Sequence, residues 1–198
     1  MLFVLGFPTA VAVLYGYARG GRLRNLATFE VHHWWLLLLA SALQLCRYKH
    51  VPGLGWLLGS YTSMRPVIIV FGIVAVWLAL NTVKPRPERA GILLIAAGWL
   101  ANVVVMALNG GMPVDKQAAL YVGFHASDFV NNDVGTYHVL TSADRLGWLA
   151  DVMPVPYSMH VASLGDVFIV LGVMAVFAVA MRRREVPAAV PAAAPVAA

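Results

Sequence analysis

The chain has 198 residues, of which 61% are hydrophobic and only 12% charged, and its mean hydropathy is +0.76. These values lie far outside the range of water-soluble domains, so the chain reads as one compact integral membrane domain with no room for a separate soluble one. Its net charge of +5 comes from short basic clusters beside apolar runs, which excludes nucleic acid as the expected partner and leaves the lipid bilayer.

Crossing the hydrocarbon core as a helix takes about 20 apolar residues. Five stretches approach that length, at 1–17, 33–47, 66–83, 91–108 and 161–181. The expectation is an all-α integral membrane bundle of five transmembrane helices occupying residues 1–185. The first stretch has no basic residues before it, and "YARGGRLR" stands where a signal-peptide cleavage site would lie, so it reads as a retained helix. The second is short, but Trp34, Trp35 and Arg47 suit the two interfaces and extend it. The single cysteine, Cys46, forms no internal disulfide.

Lysine and arginine fall unevenly on the alternating loops. Nine lie on one side, in the tight clusters Arg19, Arg22, Arg24; Lys84, Arg86, Arg89; and Arg182, Arg183, Arg184. Five lie on the other: Arg47, Lys49, Arg65, Lys116 and Arg145. Positive residues accumulate in the cytoplasm, so the N-terminus is expected outside and the C-terminus inside, in a bacterial cytoplasmic membrane. The Ala/Pro/Val tail at 186–198 has no face to bury and reads as disordered.

Residues 109–160 then form a long outer loop, too rich in aromatic and apolar residues for a solvated linker. Thr141 and Asp144 have capping-box spacing and Leu146, Leu149 and Val152 follow at helical intervals, which predicts a short interfacial helix ending before Pro154. Trp148 and Tyr157 suit the headgroup level.

The loop opens on Asn109-Gly110-Gly111-Met112-Pro113. Gly110 suits the left-handed residue that ends a helix, and Pro113 prevents a restart, so the plain reading is a helix stop. Two features give it functional company. Asn102 lies two turns deeper on the same face, where an amide faces protein rather than lipid. His160, Ser163 and Asp166, spaced by three, open the last span, and a carboxylate there needs a cation, a proton or several donors. Arg47, with Gln44 one turn below it, and Arg65 are the expected cations, and Asp151 in the loop is a further acid.

"NGGMPV", "LADVMPVP" and "SLGD" together resemble an uncharacterised family of small bacterial membrane proteins, a domain of unknown function. The resemblance implies a bacterial multi-pass protein of about this size and brings no activity, cofactor or catalytic residue with it.

Other chemistry is poorly supported. His125, His138 and His160 with Asp128, Asp133, Asp144 and Asp151 have no metal-ligand spacing, so no metal is expected. His33 and His160 fall at opposite faces, against bis-histidine haem, and no nucleotide or nucleophile signature is present, so no cofactor is expected. The leading expectation is a small-molecule or lipid binding or transport module with a polar pocket near the outer face. The alternatives are an accessory subunit docking a membrane-protein partner and, least favoured, an enzyme acting on a lipid-linked substrate.

Overall fold

In the computed structural model the residues described are 2–28, 32–48, 64–83, 87–125 and 136–182. The chain is mostly helical. In order it forms α1 (Leu2–Ala18), α2 (Trp35–Tyr48), α3 (Arg65–Thr82), α4 (Arg89–Asn109), β1 (Met112–Val114), α5 (Lys116–Tyr121), β2 (Tyr137–Val139), β3 (Met153–Val155), β4 (His160–Ala162) and α6 (Leu164–Arg182). Single 3-10 segments lie at Leu23–Thr28 and Gly147–Leu149.

Three helices, α3, α4 and α6, are long and apolar enough to cross a membrane. The apolar stretches of α1 and α2, Thr9–Ala18 and Trp35–Cys46, are shorter. At 1.5 Å per residue the 14 residues of α2 rise about 21 Å, below the roughly 30 Å hydrocarbon thickness.

Glycines set the packing of the two central helices. On α4, Gly91 and Gly98 lie seven residues apart, as do Gly165 and Gly172 on α6, and the helices run antiparallel so that Gly98 meets Gly165 and Gly91 meets Gly172. A Cβ on Gly172 would stand 2.6 Å from the Gly91 carbonyl, and one on Gly98 would strike the Gly165 carbonyl. Two backbones approach this closely only where side chains are missing.

At the end of the bundle where α6 finishes, the Met181 carbonyl accepts from Arg22 N–H at 2.8 Å and Asn25 Nδ2 at 2.7 Å, which ties the turn after α1 to α6. At the same end Trp77 Nε1 and Asn81 Nδ2 of α3 both donate, at 3.1 Å, to the His32 carbonyl just before α2. Around Leu78, Ile92 and Val176 an apolar core fills this half, with Phe71 and Trp99 edge to face at 5.7 Å further along.

The opposite end carries a folded cap in place of an open loop. Val67 of α3, Val105 and Met106 of α4, Met112 of β1 and Leu149 form one apolar cluster that seats the cap on the helices. Val114, Ala118, Ala119, Val122 and Val161 form a second, internal to the cap. β1 pairs in parallel with β2, while β3 and β4 form an antiparallel hairpin with Met153 opposite Ala162. The same tripeptide, Met-Pro-Val, makes both β1 and β3.

Several expectations change here. The all-α expectation gives way to a helical protein with two small strand pairs. The helix expected after Thr141 does not form: Leu146 adopts a left-handed backbone at φ 56° and a single 3-10 turn follows. The short helix of the cap is instead α5, whose first turn is capped by the Asp115 carboxylate accepting from Ala118 N–H at 2.7 Å. The last helix starts at Leu164 rather than 161, because His160–Ala162 is strand. The tail at 186–198, Lys49, Lys84, Arg86, Arg183, Arg184, Asp128, Asp133 and the Arg47 side chain lie outside the described residues.

Candidate functional site

The polar cluster lies where α4, α6 and the cap meet, and it is built around the start of α6. Ser163 is the N-cap residue: its Oγ accepts from Asp166 N–H at 3.0 Å, and its own N–H donates to Asp166 Oδ2 at 3.0 Å. This is a reciprocal capping box, which satisfies backbone donors that a helix start otherwise leaves open. The three-residue spacing read from the sequence as one helical face is thus the spacing of a cap. His160 takes no part, being half-buried on β4 opposite Val155.

Asn102 of α4 locks onto this box from the side. Its Nδ2 donates to Asp166 Oδ1 at 2.9 Å, and its Oδ1 accepts from Ser163 Oγ at 2.9 Å. Gly165 makes the approach possible, since a Cβ there would occupy the position of Asn102 Oδ1. Both oxygens of Asp166 are therefore engaged by the Asn102 amide and the Ser163 N–H. The ion pair expected with Arg47 lies outside the described residues, as the Arg47 side chain does. Arg65 is exposed at the first residue of α3, and Gln44 is half-buried on α2.

Asn109 and Asn102 belong to separate networks. Asn109 Oδ1 accepts from Arg145 N–H at 2.8 Å while Nδ2 donates to the Arg145 carbonyl at 2.9 Å and to the Val105 carbonyl at 3.0 Å. One side chain thus mimics a strand and pins the cap to the end of α4. Gly110 follows in the left-handed conformation, φ 69°, ψ 9°, the conformation expected of a helix stop. Gly111 admits the Thr136 carbonyl, which would lie 2.5 Å from a Cβ, and Met112 N–H then donates to that carbonyl at 2.9 Å. Met112 itself is buried in the apolar cluster. The pentapeptide is a junction from helix to strand, with its polar atoms spent on the chain.

Asp151 differs from all of these. It is 6% exposed, and among the described residues its carboxyl makes no hydrogen bond, although its backbone bridges to β1. Burial, with the charge of Asp166 adding to it, pushes its carboxyl up to about 8. At neutral pH Asp151 therefore carries a proton. Nearby, Asp144 shows the opposite behaviour. His138 Nε2 lies 2.8 Å from its Oδ1, and Thr141 donates to Oδ2 from both N–H and Oγ1, so the carboxyl is held below its ordinary value despite partial burial.

Of the residues singled out in the sequence, Asn102, Ser163, Asp166 and Asp151 come together, while Asn109, Gly110, Gly111 and Met112 build the adjoining junction. The glycines of α4 and the backbone at Arg145 went unremarked in the sequence, although a seven-residue glycine spacing in two apolar runs is a visible signal. Among the described residues no group of three or more histidine, cysteine or acidic side chains is arranged to hold a metal ion. No curated protein and no solved structure matches the chain. Residues 28–178 match the description "Family of unknown function (DUF5317)". That match covers more than half of the sequence and takes in α2 to α5, the cap and α6 as far as residue 178, so the chain belongs to this family of unknown function.

Proposed function

We propose that the protein is a small-molecule or lipid binding or transport module of the bacterial cytoplasmic membrane, with its site beneath the cap at the outer face. In this reading the shorter α1 and α2 cross as well as α3, α4 and α6, the N-terminus is outside and the C-terminus cytoplasmic. Contacts at the helix ends support alternating directions: α1 and α6 finish together, and α2 begins where α3 finishes. Arg19, Arg22, Arg24, Arg89 and Arg182 then share the end opposite the cap, as positive residues on a cytoplasmic face do.

The observation that carries the reading is Asp151, a residue only 6% exposed whose carboxyl makes no hydrogen bond among the described residues, beside the bonded cluster of Asn102, Ser163 and Asp166. Buried polar groups are almost always bonded, and the exceptions concentrate at sites that take something up. Native mass spectrometry in mild detergent, comparing wild type with Asp151→Asn, tests it. A lipid or small molecule retained by the wild type and lost from the folded variant supports a binding site. Identical cargo in both, or none, removes it.

A second reading as an accessory subunit draws on the exposed aromatics of the cap, Tyr121, Trp148 at 65% and Tyr157 at 93% exposure. It predicts a partner chain that co-purifies and is lost when Trp148 and Tyr157 are replaced by serine.

A further inference from the structure

Asp151 is the residue at which the cap is stitched together. Its N–H donates to the Pro113 carbonyl at 3.0 Å, its carbonyl accepts from Asp115 N–H at 2.8 Å, and the next N–H, of Val152, donates to the Ala162 carbonyl at 3.2 Å. β1, the start of α5 and the β3–β4 hairpin are thereby joined through one residue. Continuing the hairpin register two residues beyond Met153 and Ala162 sets Asp151 opposite Leu164, against the first turn of α6. Asp166 stands in that turn with both oxygens already accepting hydrogen bonds.

We propose that Asp151 is a proton-binding site that locks the cap onto the α4–α6 pair, and that loss of its proton to water at the outer face releases the cap.

The physical basis is an asymmetry between the two forms of one side chain. The neutral acid suits a residue only 6% exposed, whereas the carboxylate would have no donor among the described residues and would feel the charge of Asp166. Titratable and charged groups also lie on the elements packed around it: Asp115 and Lys116 after β1, His138 on β2, Asp144 and Arg145 before the 3-10 turn, and His160 on β4. Asp115 is committed to the α5 cap and Asp144 to His138 and Thr141, and Asp166 is the charge that opposes ionisation. The least costly way to hydrate an ionised Asp151 is to break the backbone bonds to Pro113 and Asp115. The glycine-packed helices need not move.

This device needs no ligand, so it stands or falls separately from the binding reading. Each opening releases one proton, so the cap-opening equilibrium rises about tenfold per pH unit between the ordinary carboxylate value of 3.8 and about 8. Hydrogen exchange on the detergent-solubilised protein at pH 5.5 and 7.5, with labelling times scaled to equal intrinsic exchange, reads it directly. Amides of Met112–Asp115 and Ala150–Met153 are expected to lose about a hundredfold in protection in the wild type, while α4 and α6 are unchanged. Asp151→Asn, neutral and nearly isosteric, is expected to stay protected at both pH values. Unchanged protection in the wild type, or equal loosening in the variant, overturns the proposal. Infrared difference spectra of the wild type alone give a second measurement should the variant fail to fold. The protonated-carboxyl band must disappear over the pH range in which the cap loosens, and a band that persists while the cap opens refutes the assignment.

Discussion

Replacing Gly98 by alanine tests whether the α4–α6 contact governs the bundle. The new methyl group would strike the Gly165 carbonyl and stand 2.9 Å from both Ile169 N and Phe168 Cβ. Ordinary contacts at such atoms begin near 3.4 Å, so the helices must separate by roughly 1 Å, since backbone on both sides leaves no flexible side chain to give way. Overpacking of this kind costs about 1–3 kcal/mol, and a gap opened along the rest of the seam forfeits a quarter to a half of its dispersion. Higher helix propensity returns about 1 kcal/mol, which leaves a net loss of up to about 2 kcal/mol. Gly72→Ala on α3 is the control, because nothing lies within 4 Å of its Cβ position, and it should be neutral or stabilising by up to about 1 kcal/mol. Reversible unfolding by dodecyl sulfate in mixed micelles, followed by circular dichroism, measures both. The pair Gly98→Ala with Gly165→Ala should cost less than the sum of the single changes, because helices already parted accept the second methyl group more easily. If Gly98→Ala unfolds within about 0.5 kcal/mol of Gly72→Ala, the close approach does not hold the helices together.

Three further outcomes use the same assay. The Asp151 carboxyl is raised from 3.8 to about 8, so the folded chain keeps a proton that the unfolded chain has lost. Its stabilising effect is present at low pH and disappears as pH rises through that interval, at about 1.4 kcal/mol per unit. Wild type should thus lose about 3 kcal/mol between pH 5 and 7 relative to Asp151→Asn, and parallel pH profiles would contradict this. Trp77→Phe should cost about 1 kcal/mol through the lost bond to the His32 carbonyl, whereas Trp99→Phe should be close to neutral, since the buried Trp99 Nε1 has no hydrogen-bond partner among the described residues. Gly110→Ala forces a side chain into the left-handed region at φ 69° and should cost about 1 kcal/mol, with Gly110→Asn costing less; equal losses for the two would argue against a conformational origin.

The helices were legible because long apolar runs have few alternatives, and the stop at Gly110 was legible because a left-handed residue after a helix is a local requirement. The cap was not. Ser163–Asp166 and Thr141–Asp144 share the same spacing, and only the first opens a long helix. What separates them is the sequence downstream: Asp166 leads into an unbroken apolar helix, whereas Asp144 is drawn aside by His138 and the chain turns left-handed at Leu146. Strand pairs of three residues carry too little periodicity to be seen in a sequence. For Asp166 the sequence pointed to a cation, a proton or several donors; the donors described are the Asn102 amide and the Ser163 N–H, and Gly165 lets Asn102 approach.

Gly98 meets Gly165 in the first turn of α6, whereas α4 runs on to Asn109, about 16 Å further, so the cap begins at the top of one helix and ends beside its flank. The described residues of the cap, 111–125 and 136–162, are in effect a graft in the bend of a helical hairpin. Its apolar underside and the Arg145 backbone held by Asn109 are what must match the helices. A graft of that kind can change its outward face without disturbing the stem. In this protein the stem fixes where the cap is seated, and the outward face of the cap is free to vary.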